Sequence, residues 1–298
     1  MKIAYLILAH TNPRLIARAI GTLSFDDCAF FIHVDKKSGI EEFSRRARGN
    51  VFFIEPRIPV YWGDFSQIEA ILRLLRQAMN GPGNYDYFVL VSGSDYPLRS
   101  GKYINAFFQE NHGLEFISSV KVPNEAAGKP LSRINKLWIP KTHPVRRFAV
   151  RALGKLGLAQ RDYRKYLGHL EPYAGSEWWA LTRDACQYAL QFVESHANVT
   201  GFFKNVCAAD EAFFQTILGN SEFQSRMRRN FVYDDWSDRG SSPAMMSDRH
   251  IALFESQQKV SLDDVYGRAE ALFARKFSDG HLALVQKIED MILRKENS

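Results

Sequence analysis

The chain has 298 residues, 46% hydrophobic and 24% charged, an ordinary balance for a soluble globular protein that excludes disordered, collagen-like and coiled-coil classes. Its 39 Lys and Arg exceed its 33 Asp and Glu, a net charge of +6 that invites a polyanion or membrane-surface partner. The surplus is local: residues 131–167 hold ten basic side chains and one acid, so that segment is +9 and the remainder is −3. No run of about 18 uncharged apolar residues could span a bilayer. Cys28, Cys186 and Cys207 are widely separated and odd in number, giving neither a disulfide framework nor a metal pair, so the expected compartment is the cytoplasm.

Met1 to Leu8, apolar apart from Lys2, runs into His10-Thr11-Asn12-Pro13 without a small-residue cleavage site, which predicts a buried first strand over Ile3–Ala9 rather than a signal peptide. Asn12-Pro13 opens a helix carrying Leu15, Ile16 and Ile20 at helical spacing. Strands are expected at 30–34 and 51–54. A helix follows over 65–79, with an apolar stripe ended by Gly81-Pro82-Gly83, then a fourth strand over 87–91. Strands alternating with helices favour a largely parallel sheet with ligands at the carboxyl ends of its strands. Beyond it the pattern predicts strands at 116–120 and 178–181, helices at 183–195 and 208–218, and late strands at 231–233 and 251–254. Residues 263–274 and 282–294 read as helices.

A Walker loop, Gly-x-Gly-x-x-Gly, His-Glu-x-x-His, Cys-x-x-Cys and Gly-x-Ser-x-Gly are all absent, which removes the simplest nucleotide hydrolase, dehydrogenase, zinc and serine-hydrolase readings. The eight histidines have no metal-ligand spacing, and there is no Asp-x-Asp.

Seven segments in order carry a resemblance: AYLILAH from Ala4, IHVDKKS from Ile32, VYWGDFS from Val60, SGSDYPL from Ser92, GSEWW from Gly175, DEAFF from Asp210 and LFARKF from Leu272. Together they resemble the Core-2/I-branching family of glycosyltransferases, which includes β-1,6-N-acetylglucosaminyltransferases and peptide O-xylosyltransferases. The resemblance covers nearly the whole chain except the basic segment. It implies an α/β fold of GT-A type, a Rossmann-like mixed sheet flanked by helices. Residues 1–298 then form one domain with a basic helical insertion at 131–167 and a helical C-terminal tail. It also implies inverting transfer from a UDP-sugar without a metal, with which the missing Asp-x-Asp agrees. A chain that starts at its first core strand resembles a bacterial, cytosolic member of the family.

An inverting transfer needs one base to take the proton of the acceptor hydroxyl, whereas the diphosphate leaves as an anion and needs no acid. By the resemblance Glu211 is that base, although an acid in a helix's first turn would suit the same position. Without a metal, fixed cations must meet the leaving diphosphate. Lys276 matches the family's diphosphate lysine and Arg249 more loosely its arginine, with Arg275 as the substitute. Asp35 resembles the uridine contact and Tyr61 the uracil-facing aromatic, while Ala9 and His10 close the first strand at the same nucleotide edge. Asp95 has two readings, an Asx-turn before Pro97 or a hydrogen bond to donor or acceptor sugar. Glu177 and Trp236 are the candidate acceptor contacts.

The implied partners are a UDP-sugar, with N-acetylglucosamine or xylose as the sugar, and a glycan or lipid-linked glycan acceptor of bacterial surface polysaccharide synthesis. No cofactor or metal is expected. In the insertion, Val145, Phe148, Ala149, Ala152 and Leu156 alternate with Arg146, Arg147, Arg151 and Lys155. This predicts a basic amphipathic helix with two readings: one packed on the catalytic domain with a solvated basic face, or one lying on an anionic membrane, which gives a peripheral place at the inner face of the cell membrane. The competing readings are a metal-dependent GT-A transferase of another family and a nucleic-acid-binding protein. The few aromatics in the basic segment speak against nucleic acid as a partner.

Overall fold

The computed structural model describes residues 1–46, 49–139, 159–238 and 240–296, together with positions 148, 150 and 152. Twelve strands are β1 (Ile3–Ala9), β2 (Cys28–Val34), β3 (Val51–Phe53), β4 (Tyr87–Ser92), β5 (Asp95–Pro97), β6 (Glu115–Lys121), β7 (Tyr173–Thr182), β8 (Met227–Arg228), β9 (Val232–Asp234), β10 (Ser261–Asp264), β11 (Gly267–Glu270) and β12 (Phe273–Arg275). The main sheet runs β3-β2-β1-β4-β7-β6-β8, with β5-β12-β9 as a second, small sheet and β10-β11 as a hairpin.

β1, β2 and β4 read as nearly unbroken apolar runs because both faces of the sheet are covered. β1 pairs in parallel with β2 on one side and β4 on the other, whereas β7 is antiparallel to both β4 and β6. The chain thus leaves β1 in one direction and returns to its other side through β4, a topological switch point whose crevice lies at the strands' carboxyl ends. Asp35 N–H donates to the Ala9 carbonyl (2.7 Å) and Gly93 N–H to the Leu8 carbonyl (2.8 Å), drawing the three loops together there.

Helix Pro13–Leu23 starts with proline in its first turn, and the Asp279 carboxylate accepts from the free N–H groups of Leu15 (2.8 Å) and Arg14 (3.3 Å). Helix Ser66–Met79 buries Ile68, Ile71, Leu72 and Leu75 against the sheet, and helix Arg183–Ser195 is capped by Thr182, whose hydroxyl accepts from Ala185 N–H. Phe30, Tyr87, Phe88, Phe108, Trp179, Phe203, Phe213 and Phe214 fill the main core, while a second apolar cluster joins β5 and β12 to the helices Asp248–Ser256 and Leu282–Glu296. All three cysteines are free.

Three expected elements are corrected. Residues 251–254 lie inside the helix Asp248–Ser256, opened by a capping box between Ser247 and His250, and His250, Ile251 and Phe254 form its buried face. Residues 263–274 form the hairpin and β12 instead of a helix: Gly267, at φ +105°, permits the turn, and Asp263 pairs across the strands with Arg268 at 2.7 Å. The expected helix over 208–218 is a 3-10 turn, Ala209–Glu211, followed by helix Phe213–Gly219. Among the described residues no helix is long and apolar enough to cross a membrane. The basic amphipathic helix expected over 145–156 falls almost entirely outside the described residues.

Candidate active site

At the carboxyl ends of β1 and β2, Asp35 is almost fully buried. Its carboxylate accepts from Lys37 N–H (2.9 Å) and pairs with the Lys37 ammonium at 3.1 Å. That ammonium lies 4.1 Å from the centre of the Tyr61 ring, and Ser38 Oγ donates to the His10 carbonyl at 2.7 Å. Ala9, His10, Asp35 and Tyr61, expected to share one edge, are therefore together. The exposed Trp62 adds a second aromatic next to Tyr61.

The loop after Tyr61 leads to the acids. Gly63 accepts from Ala208 N–H at 3.2 Å, and Ala208 takes a left-handed conformation (φ +51°) that turns the chain into Ala209–Glu211. Glu211 Oε2 accepts from Lys129 Nζ (2.5 Å) and Arg133 Nη1 (2.6 Å), while its other oxygen has no hydrogen-bond partner among the described residues. The side chain remains 31% exposed. Burial lowers the pKa of Lys129, opposed by the charge of Glu211. Asp210 is buried, with Oδ1 unpartnered, and burial together with the Glu211 charge pushes its carboxyl up to about 7. Glu177, on β7, accepts from the Gln67 amide. Burial and the charge of Asp210 raise it well above the usual carboxylate range. Asp210 and Glu177, both with raised pKa, thus lie close enough to feel the charge of Glu211, which Lys129 and Arg133 hold.

β5, β12 and β9 hold the cations. Asp95 accepts from Ser92 N–H and Ser92 Oγ, both at 2.8 Å, and faces Arg275 Nε at 3.3 Å. That ion pair does not have hydrogen-bond geometry, so the buried Nε keeps a free donor. The Arg275 guanidinium lies 4.3 Å from the Trp178 ring centre, on the residue next to Glu177. Lys276 is half-buried, and burial and the neighbouring Arg275 charge lower its pKa while Asp95 opposes them. Its ammonium has no hydrogen bond or ion pair among the described residues. Arg249 is turned elsewhere: it donates to Asp235 (2.5 Å) and Ser237 Oγ (3.1 Å) and is mostly exposed. His250 shares the same Asp235 oxygen at 3.0 Å. Because its Nδ1 accepts from Ser247 N–H, its Nε2 carries the proton. Trp236 is 52% exposed, and its indole N–H donates to Asp234 at 2.7 Å.

Sequence reasoning missed Lys129, Arg133 and Gln67, which are as close to the acids as any expected residue. No local pattern marks them, because they meet Glu211 or Glu177 across 82, 78 and 110 residues of sequence. Among the described residues no group of three His, Cys, Asp or Glu side chains could hold a metal ion.

Several known proteins are similar. Xylosyltransferase 2 of Canis lupus familiaris is 26% identical over 80% of this chain and 27% of its own length. Xylosyltransferase 2 of Homo sapiens is 28% identical over 74% of this chain and 25% of its own. Xylosyltransferase sqv-6 of Caenorhabditis elegans is 23% identical over 93% and 35%. The chain therefore spans about a quarter to a third of the length of these relatives. A solved structure of mouse xyloside xylosyltransferase 1 aligns over 91% of this chain and 97% of that one, at 11% identity and a TM-score of 0.37. The Core-2/I-Branching enzyme model matches residues 3–259. The chain belongs to the Core-2/I-branching enzyme family.

Proposed function

We propose that the chain is an inverting glycosyltransferase of GT-A type that moves a sugar from a UDP-sugar to a hydroxyl of a glycan acceptor, with Glu211 as base. The observation that carries this reading is the Glu211 carboxylate: one oxygen is fixed by two cations and the other is unengaged among the described residues, in a partly open site. The free oxygen takes the acceptor's proton as the hydroxyl oxygen attacks the anomeric carbon. The bond from that carbon to the diphosphate breaks on the opposite face, and UDP leaves as an anion. Lys276, with Arg275 beside it, meets the developing charge, and Asp35 and Tyr61 hold the nucleoside at the β1–β2 edge. In this reading Arg275 takes the role first given to Arg249. Asp95 acts through Arg275, while Glu177 and Trp236 face the acceptor.

Metal independence belongs to the proposal and rests on these fixed cations. The names of the relatives make UDP-xylose the first donor to test, with UDP-N-acetylglucosamine beside it. The test is UDP release from a panel of nucleotide sugars in EDTA. Release with a UDP-sugar is expected, and a requirement for added manganese would overturn the metal-free mechanism.

The acceptor we propose is a bacterial surface glycan, lipid-linked and met at the inner face of the membrane through the cations of residues 145–156. At about 1 kcal/mol per basic residue near an anionic surface, neutralising Arg146, Arg147, Arg151 and Lys155 is expected to abolish binding to anionic liposomes. Equal binding of the unaltered protein to neutral liposomes would contradict it.

A further inference from the structure

The hairpin of β10 and β11 is held by charge more than by apolar packing. Leu262 is the one buried residue of its two strands. At its base Glu270 accepts from the buried Arg99 through Nε (2.9 Å) and Nη2 (2.7 Å), and from Tyr103 Oη at 3.0 Å. At its tip Asp264 Oδ2 accepts from the buried Arg229 through Nη2 (2.8 Å) and Nε (3.1 Å), while Oδ1 accepts from Tyr266 N–H at 2.9 Å. One carboxylate therefore both latches the tip and sets the backbone of Tyr266.

The latch continues to β7 and β9, which carry Glu177 and lead to Trp236, the proposed acceptor contacts. Arg229 Nη1 donates to the Asn230 carbonyl at 2.7 Å, and Asn230 Nδ2 donates to the Trp178 carbonyl at 3.1 Å, beside Glu177 on β7. Arg229 also precedes β9, which ends at Asp234, the partner of Trp236. Tyr266 is partly buried. Burial pushes its phenol up to about 12, with the charges of Glu211 and Asp264 adding to the effect and Arg133 opposing it. Among the charges it feels are those of Glu211 and of Arg133, the partner of Glu211. The hairpin lies beyond residues 3–259, so the family match assigns it no role.

We propose that this hairpin is the acceptor-side wall of the reaction centre and that Tyr266 at its turn is a specificity-determining residue that contacts the acceptor sugar next to Glu211. A phenol offers a flat apolar face to the C–H groups of a pyranose and a hydroxyl to its oxygens. Val265, on the same turn, is exposed.

The inference rests on the glycosyl-transfer reading, and one set of measurements on the full chain separates the two. UDP affinity is measured by calorimetry, and UDP release is measured with and without methyl xylosides, glucosides, galactosides and N-acetylglucosaminides. For the glycoside that most accelerates the wild type, Tyr266→Ala is expected to raise KM at least tenfold. UDP affinity and acceptor-free UDP release should stay within twofold. Tyr266→Phe, which keeps the ring, should fall between the two, and Asp264→Asn, which loosens the latch, should also raise the acceptor KM. An acceptor kcat/KM for Tyr266→Ala within twofold of wild type overturns the proposal. So does a wild type that releases UDP but is accelerated by none of the glycosides, although that result leaves the glycosyl-transfer reading standing. A wild type that neither binds UDP nor releases it overturns that reading, and the proposal with it.

Discussion

Asp210→Asn should stabilise the protein at alkaline pH and leave it unchanged in acid. Asp210 is buried beside Glu211 with one carboxyl oxygen unpartnered, and its pKa is raised from 3.8 to about 7. Because the folded value lies above the unfolded one, the native state binds the proton more tightly. The resulting stability is fully present below about pH 4 and is lost as pH rises through 7. Three pH units at about 1.4 kcal/mol each give roughly 4 kcal/mol, an upper bound for a site that relaxes on ionisation. The isosteric amide has nothing to ionise. At pH 8 it should therefore recover about 2–4 kcal/mol relative to wild type, or about 5–10 °C in Tm, and at pH 4 the difference should fall below about 1 kcal/mol. Glu177, raised partly by the Asp210 charge, would be relieved in the same direction. Urea denaturation of both proteins at pH 4 and pH 8 measures this, and their difference cancels the titrating groups that the Asp210 charge does not reach. An amide variant that gains nothing on going from pH 4 to pH 8 would refute the reasoning. Keeping an acid where it costs stability fits a site held for chemistry.

Two further outcomes concern the cations. Lys276→Met should weaken UDP binding ten- to a hundredfold, about 1.5–3 kcal/mol for a lost charge-assisted hydrogen bond, and calorimetry showing an unchanged Kd would remove Lys276 from the diphosphate site. Arg275→Met should destabilise the fold by about 2–4 kcal/mol, because it leaves the buried Asp95 carboxylate without its ion pair and Trp178 without the overlying guanidinium. Urea denaturation unchanged from wild type would contradict that accounting.

The amino-terminal half of the fold is legible in sequence because β1, β2 and β4 are covered on both faces, so burial writes itself as continuous apolar runs. The carboxyl-terminal half is not. The stretch IALF at 251–254 reads equally as strand or helix, and only the Ser247–His250 capping box decides it. The hairpin carries charges on an exposed surface, and with Leu262 as the one buried residue of its strands no alternation of apolar and polar residues marks them. At the site, the ordered motifs gather Ala9, His10, Asp35 and Tyr61 at one edge: Ala9 ends β1, His10 and Asp35 follow β1 and β2, and Lys37 bridges Asp35 to the Tyr61 ring in the loop after β3. Arg249 is drawn instead to Asp235, a carboxylate whose pKa is lowered by hydrogen bonds from Ser237 and whose position no motif marks. Arg133 lies in the basic segment, where a surplus of charge hides the one that binds Glu211, and Lys129 stands two residues before that segment with no motif to mark it.

The most direct test of the account compares wild type with Glu211→Gln for UDP release and sugar transfer in EDTA, with UDP affinity measured in parallel. The account predicts at least a hundredfold loss of turnover with the UDP Kd within about threefold of wild type, since the amide keeps the shape of the carboxylate but cannot take a proton. Full turnover by the Gln variant would contradict it.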